Sequence, residues 1–191
     1  HAANILLHGL NAVLVYLLFL RIFREEARPV WLAAASAGLF AFMHCHTESV
    51  TWISGRFDLF AAFFMLLCLL FWDRFLQRGA WKVYAVAVLF FLCALAAKET
   101  AVVLLILIGL WAFIRGDAIA LPKINRWKIW LPFVGVTMLF FAVRAWFLGK
   151  WVGAESAIQA GFSWTAIFKN FLIFPYRVLA PGLPYPYSYI G

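Results

Sequence analysis

The chain has 191 residues, 66% of them hydrophobic, 19% aromatic and 13% charged, with a mean hydropathy of +0.94. A soluble domain has about half apolar and about a quarter charged residues, so this composition excludes an ordinary water-soluble enzyme and points to a polytopic membrane protein. The net charge of +8 is spread over short connectors, which argues for membrane orientation and against nucleic-acid binding.

The first apolar run, Ile5 to Phe23, is about one membrane span long. His1, Asn4, His8 and Asn11 recur at intervals of three, four and three, which places them on one helix face. A polar stripe on a spanning helix faces the bundle. It serves either as interhelical hydrogen bonding or as the lining of a pocket at its first turn. Arg21, Arg24, Glu25, Glu26 and Arg28 form the first connector, and Pro29 suits a helix start. Val30 to Met43 is short for a span, so the polar stretch after it is expected to be partly sheltered.

That stretch, His44 to Asp58, holds His44, His46, Glu48, Arg56 and Asp58 between two apolar runs. Charge at a bilayer is expensive and marks function more often than chance. Glu48 follows His44 by four residues, neighbours on a helix, and reads as a tuned general base or a plain hydrogen-bonded pair. His44, His46 and Glu48 also offer metal-type donors, but two histidines two apart lack the four-residue spacing of a zinc-binding helix, so no metal is expected. Asp58 suits a helix cap and Arg56 suits bidentate phosphate binding; an Arg56–Asp58 ion pair or an interfacial anchor is the plainer alternative.

Leu59 to Trp72 is the next run, and Asp73, Arg74, Gln77, Arg78 and Gly79 read as a second connector. Trp81 to Ala97 ends at Lys98-Glu99, which reads as a hairpin carrying an adjacent ion pair, with Lys98 offered as a phosphate contact. Ala101 to Ile114 runs back, residues 115 to 128 form a third connector, and Ile129 to Leu148 spans again with Arg144 near its end. Arg144 is expected either to snorkel or to join the cations of the pocket. Phe162 to Ala180 is either a partial span or an amphipathic interfacial helix. Cys68 and Cys93 lie in apolar runs as small hydrophobes, and no CxxC motif suggests redox chemistry or a thiolate metal site. No internal repeat or domain linker appears. The expectation is one all-α, polytopic transmembrane bundle over residues 1–191, with about six spanning helices and one interfacial or partial helix.

Orientation is read from charge. The connectors on one side hold ten cations: Arg21, Arg24, Arg28, Arg74, Arg78, Lys82, Arg115, Lys123, Arg126 and Lys128. The other side holds four: Arg56, Lys98, Arg144 and Lys150. The richer side is expected to be cytoplasmic. Nearly every unusual polar residue then gathers on the outer face, where clustered cations suit a phosphate headgroup and a carboxylate suits deprotonation of a hydroxyl.

The segments "HAANILLHGLNAVLVYLL", "FMHCHTESVTWISGRFDLFAAFFMLL", "AAKETAVVLL" and "FLIFPYRVLAPGLPYPYS" resemble the transmembrane, TPR-containing O-mannosyltransferases and their bacterial relatives. These are membrane glycosyltransferases of the C-type fold (GT-C). His1, Asn4 and His8 match the family's first motif, His44, His46, Glu48, Val50, Gly55, Arg56 and Asp58 its second, and Lys98 and Glu99 its third. Cys45 stands where the family usually has Pro. The resemblance implies a polyprenyl-phosphate sugar donor, mannose-like, and a protein or glycan acceptor outside a bacterial inner membrane. It implies neither metal nor other cofactor. Glu48, His44 and His46 become candidate catalytic residues; Arg56, Lys98 and Arg144 candidate donor-phosphate contacts; and His1, Asn4, His8, Asp58 and Glu99 pocket supports. A catalytic acidic motif is implied upstream of His1, so the chain, which starts without Met, is expected to be an excerpt that is inactive alone. A transporter or flippase of an anionic lipid-linked substrate is the alternative, although its expected paired broken halves have no counterpart here.

Overall fold

The computed structural model describes residues 1–43, 50–51, 55–115 and 128–148. Among these residues there is no strand, and six α-helices follow one another: α1 (Ala2–Ile22), α2 (Pro29–Phe42), α3 (Arg56–Arg78), α4 (Trp81–Ala97), α5 (Leu104–Arg115) and α6 (Leu131–Leu148). A 3₁₀ segment, Glu99–Val103, leads into α5, and a second, Lys128–Trp130, leads into α6. Three helical stretches are long and apolar enough to cross a membrane: Ala2–Ile22, Arg56–Arg78 and Lys128–Phe147. α2 and α4 are apolar but shorter, with 14 and 17 residues. The segment Phe162 to Ala180 lies outside the described residues.

Local chemistry sets the helix ends. Pro29 opens α2, where its missing N–H is one that the first turn leaves unbonded in any case. Gly79 closes α3 at φ 65°, a left-handed conformation that costs glycine little, and its N–H donates to the Phe75 carbonyl at 2.8 Å. Two residues later α4 begins, so α3 and α4 form a tight antiparallel pair.

α3 is the central helix, packed against α1, α4 and α5, and α4 also packs on α6. The buried face of α1 is Asn4, Leu7, Asn11, Val15 and Leu18, a stripe at intervals of three and four. An aromatic core joins α3, α4 and α6. Phe133 meets Trp72 edge-on at 5.5 Å, Tyr84 at 5.8 Å and Phe91 at 5.3 Å. Trp72, Phe75, Phe91 and Phe133 are fully buried. The Tyr84 hydroxyl donates to the Ile129 carbonyl at 2.8 Å, which ties α4 to the entry of α6. Gly109 in α5 leaves room for Trp130, whose Cη2 would lie 3.3 Å from an added Cβ. Outside this core, Leu6, Ile106, Phe113, Met138 and Trp146 stand exposed, an apolar surface that suits acyl chains rather than water.

Because the helices alternate in direction, the bundle has two ends. The starts of α1 and α3, the end of α4 and the end of α6 meet at one, here called the Arg56 end. The ends of α1, α3 and α5 meet at the other, the Asp73 end.

Candidate functional site

The Arg56 end is built first from α1. Asn4 and Asn11 are fully buried and His8 is partly buried, while His1 is exposed. Asn11 donates from Nδ2 to the Leu59 carbonyl of α3 at 3.0 Å, and His8 Nε2 lies 3.1 Å from the Ala41 carbonyl of α2. Asn4 donates to the Val50 carbonyl at 3.3 Å and accepts from Arg56 Nε at 3.2 Å. The stripe therefore makes interhelical hydrogen bonds, as its spacing allowed. Its lower members bind helices together, and its first turn holds a cation of the polar end.

α3 begins at Arg56, after Gly55 at the cap position. Asp58 does not cap it: no side-chain cap bond is made, and the Asp58 carboxylate instead pairs with Lys98. Nor does Arg56 pair with Asp58, since Arg56 engages Asn4. Residues two apart on a helix project about 200° apart. Arg56 accordingly reaches α1 while Asp58 reaches the α4–α5 linker, and the two cations Arg56 and Lys98 flank the start of α3 on opposite sides.

Lys98 and Glu99 also depart from the expected adjacent ion pair. Lys98 is extended, at φ −158° and ψ 131°, and successive side chains of an extended chain point apart. Lys98 turns to Asp58 on α3, whereas Glu99 turns to Arg144 on α6, with Oε2 3.1 Å from Nη1. The dipeptide thus joins three elements. The Lys98–Asp58 pair is about 40% exposed on each side, at 39% and 41%, while Arg144 is only 19% exposed. Arg144 does not snorkel freely. Its Nε is buried and has no hydrogen-bond partner among the described residues. Among the described residues, this end carries Arg56, Lys98 and Arg144 against Asp58 and Glu99, an excess of one positive charge. His44, His46 and Glu48 lie outside the described residues, as does Cys45. No group of three metal-type side chains occurs among the residues that are described.

The Asp73 end holds a polar site that the sequence pattern did not reveal. The sequence pattern places Asp73 in a connector, but α3 continues to Arg78 and buries Asp73 completely. Its Oδ2 accepts from Gln77 Nε2 at 2.8 Å and Arg21 Nη1 at 3.2 Å. Its Oδ1 accepts from Arg115 Nε at 2.7 Å and Trp111 Nε1 at 3.0 Å. Arg21 also donates to the Leu70 carbonyl, and Arg115 to the Arg21 carbonyl. A carboxylate can leave water at this low cost only when its lone pairs are filled, as here. The available signal was the coincidence of Arg21, Asp73 and Arg115 at the ends of alternate runs.

An apolar helical bundle with charged side chains bonded at both ends defines an integral membrane protein. The likeness read from the motifs has direct counterparts. The chain is 33% identical over 111 residues to protein O-mannosyl-transferase Tmtc1 of Drosophila melanogaster, covering 58% of this chain and 12% of that protein. It is 31% identical over 122 residues to protein O-mannosyl-transferase Tmtc2 of the same organism, covering 61% and 13%. It is 40% identical over 80 residues to protein O-mannosyl-transferase TMTC1 of Homo sapiens, covering 41% and 9%. The matched stretch is thus a small fraction of each relative's length. No protein-family model and no solved structure matches the chain.

Proposed function

We propose that the chain forms part of the membrane domain of a glycosyltransferase. It moves a mannose-like sugar from a polyprenyl-phosphate donor to a hydroxyl on a protein or glycan acceptor, at the extracytoplasmic face of a bacterial inner membrane. One observation carries the reading. Three cations from three separate segments gather at one end of an apolar bundle, in a chain similar to proteins named O-mannosyl-transferases. A phosphate anchored in lipid calls for cations at the membrane edge and apolar walls beneath them, and this arrangement offers both.

In the proposed reaction the acceptor oxygen attacks the anomeric carbon as the bond to the phosphate oxygen breaks. The electron pair leaves with the polyprenyl phosphate. Arg56, Lys98 and Arg144 stabilise the negative charge that develops there. Glu48, His44 and His46 act with the acidic motif that the resemblance sets upstream of His1 in taking the acceptor proton. His1, Asn4, His8, Asp58 and Glu99 support the pocket.

The test uses the full-length protein in proteoliposomes with a polyprenyl-phosphate-linked labelled mannose and a hydroxyl acceptor peptide. The expected result is label on the peptide, one polyprenyl phosphate released for each sugar transferred, and loss of both in Glu48→Gln. Lipid-linked sugar that crosses the bilayer intact and never reaches the acceptor would overturn the reading in favour of a flippase.

A further inference from the structure

Among the described residues, the two carboxylates of the Arg56 end are bonded to cations proposed to hold the donor. Asp58 holds Lys98, and Glu99 holds Arg144. Each pair joins different elements, so each carboxylate is placed by a helix or linker that its cation does not share. The pairs differ in shelter: Lys98 and Asp58 are half-exposed, whereas Arg144 and Glu99 are more enclosed. A half-exposed ion pair is weak, because water competes for both partners. A lysine ammonium also has three donors, and Asp58 occupies one of them. Arg56, by contrast, is exposed and, among the described residues, gives Nε to a neutral amide oxygen.

We propose that Asp58 is an internal stand-in for the phosphate: it neutralises Lys98 while the site is empty and gives that cation up when an anionic ligand arrives. The proposal rests on the phosphate-binding reading of this end and adds a competitor to it. Lys98 in a membrane protein with no counter-ion would sit unpaired at the bilayer edge, which is costly. A carboxylate on the neighbouring helix removes that cost and keeps the ammonium close to where the ligand needs it. The same carboxylate then opposes binding, since the incoming anion must displace it and endure its negative charge. Asp58 is therefore a positioning residue that sets how tightly ligand and released carrier are held. Glu99, bonded to the more enclosed Arg144, stays in place as a structural partner. The difference in exposure is what separates the two roles.

The experiment measures binding of a short-chain polyprenyl monophosphate to the full chain in nanodiscs, by quenching of tryptophan fluorescence. A parallel titration uses inorganic phosphate, read by thermal shift. Wild type is compared with Asp58→Asn, Lys98→Gln, the double variant, and Glu25→Gln as a control for net charge at the other end. Asp58→Asn is expected to tighten binding by about two- to fivefold, the scale of one exposed ion pair. Neither Glu25→Gln nor Asp58→Asn added to Lys98→Gln should give that gain. An unchanged or weakened affinity in Asp58→Asn would overturn the proposal. So would a gain that persists without Lys98, which would show a general charge effect. Tightening towards inorganic phosphate with no binding of the polyprenyl compound would uphold the stand-in role and defeat the lipid-carrier reading. No binding of either probe to wild type or Asp58→Asn would defeat both.

Discussion

The side chains at the Arg56 end divide into holders and candidates for contact. Asn11 bridges α1 to α3, giving its Nδ2 to the Leu59 carbonyl, while its buried Oδ1 has no hydrogen-bond partner among the described residues. An amide half-satisfied in an apolar interior gains little, so Asn11→Leu is expected to change stability by less than about 1 kcal/mol and to leave transfer near normal, as melting and turnover would check. Asn4 differs because it fixes Arg56 through Oδ1. Asn4→Ala is expected to lower turnover about as strongly as Arg56→Lys, which keeps the charge but loses the planar fork. If Asn4→Ala turned over normally while Asn11→Leu did not, the division between holder and contact would be reversed. At this scale the sequence was legible in which residues share a helix face or a bundle end and less so in how they pair. The spacing of His1, Asn4, His8 and Asn11 placed them on one face. The partners of Asp58, Lys98 and Glu99 were not visible, because each lies on an element distant in sequence and local spacing proposed neighbours instead.

The elements are locked chiefly at the opposite end. Asp73 accepts from Arg21 of α1, Arg115 and Trp111 of α5 and Gln77 of its own helix, so one carboxylate fixes three helices in register. Asp73→Ala leaves two guanidinium groups facing each other without a counter-ion. Removing one partner of a buried pair costs about 3–5 kcal/mol, and a marked drop in melting temperature is expected. Asp73→Ala melting like wild type would show that the bundle is held by its apolar core alone. Gly79→Ala should cost about 1 kcal/mol, since alanine is strained at φ 65°. The charged run from Asp73 to Arg78 looked like a connector because polarity at a run's end resembles a loop. The helix continues there because Asp73 finds buried donors from two other helices, and that compensation exists only in three dimensions. Glycine at 79, the left-handed cap, was the better mark of the boundary.

For the whole molecule, alternate helix directions bring together what charge counting had grouped: Arg56, Lys98 and Arg144 at one end, Arg21, Arg74, Arg78 and Arg115 towards the other. A reporter fused at Arg24 or Arg78 is expected to read cytoplasmic and one at Ser54 to read external; a cytoplasmic signal at Ser54 would place the charged end on the wrong face for an external acceptor. Transfer by the full-length protein is expected to survive a chelator, and loss restored by a divalent ion would move His44, His46 and Glu48 into a metal site. The central claim, that the Arg56 end holds the phosphate of a lipid-linked sugar, is tested most directly by donor turnover in Arg56→Ala and Lys98→Ala, measured beside thermal stability. Losing one charge-assisted contact costs about 1.5–3 kcal/mol, so each variant should turn over about ten- to a hundredfold more slowly. Melting should shift little, because the exposed Lys98–Asp58 pair and the single Arg56–Asn4 hydrogen bond each contribute about 1 kcal/mol or less. Near-normal turnover in both variants would contradict the account, and collapse of folding in both would give these cations a structural role instead.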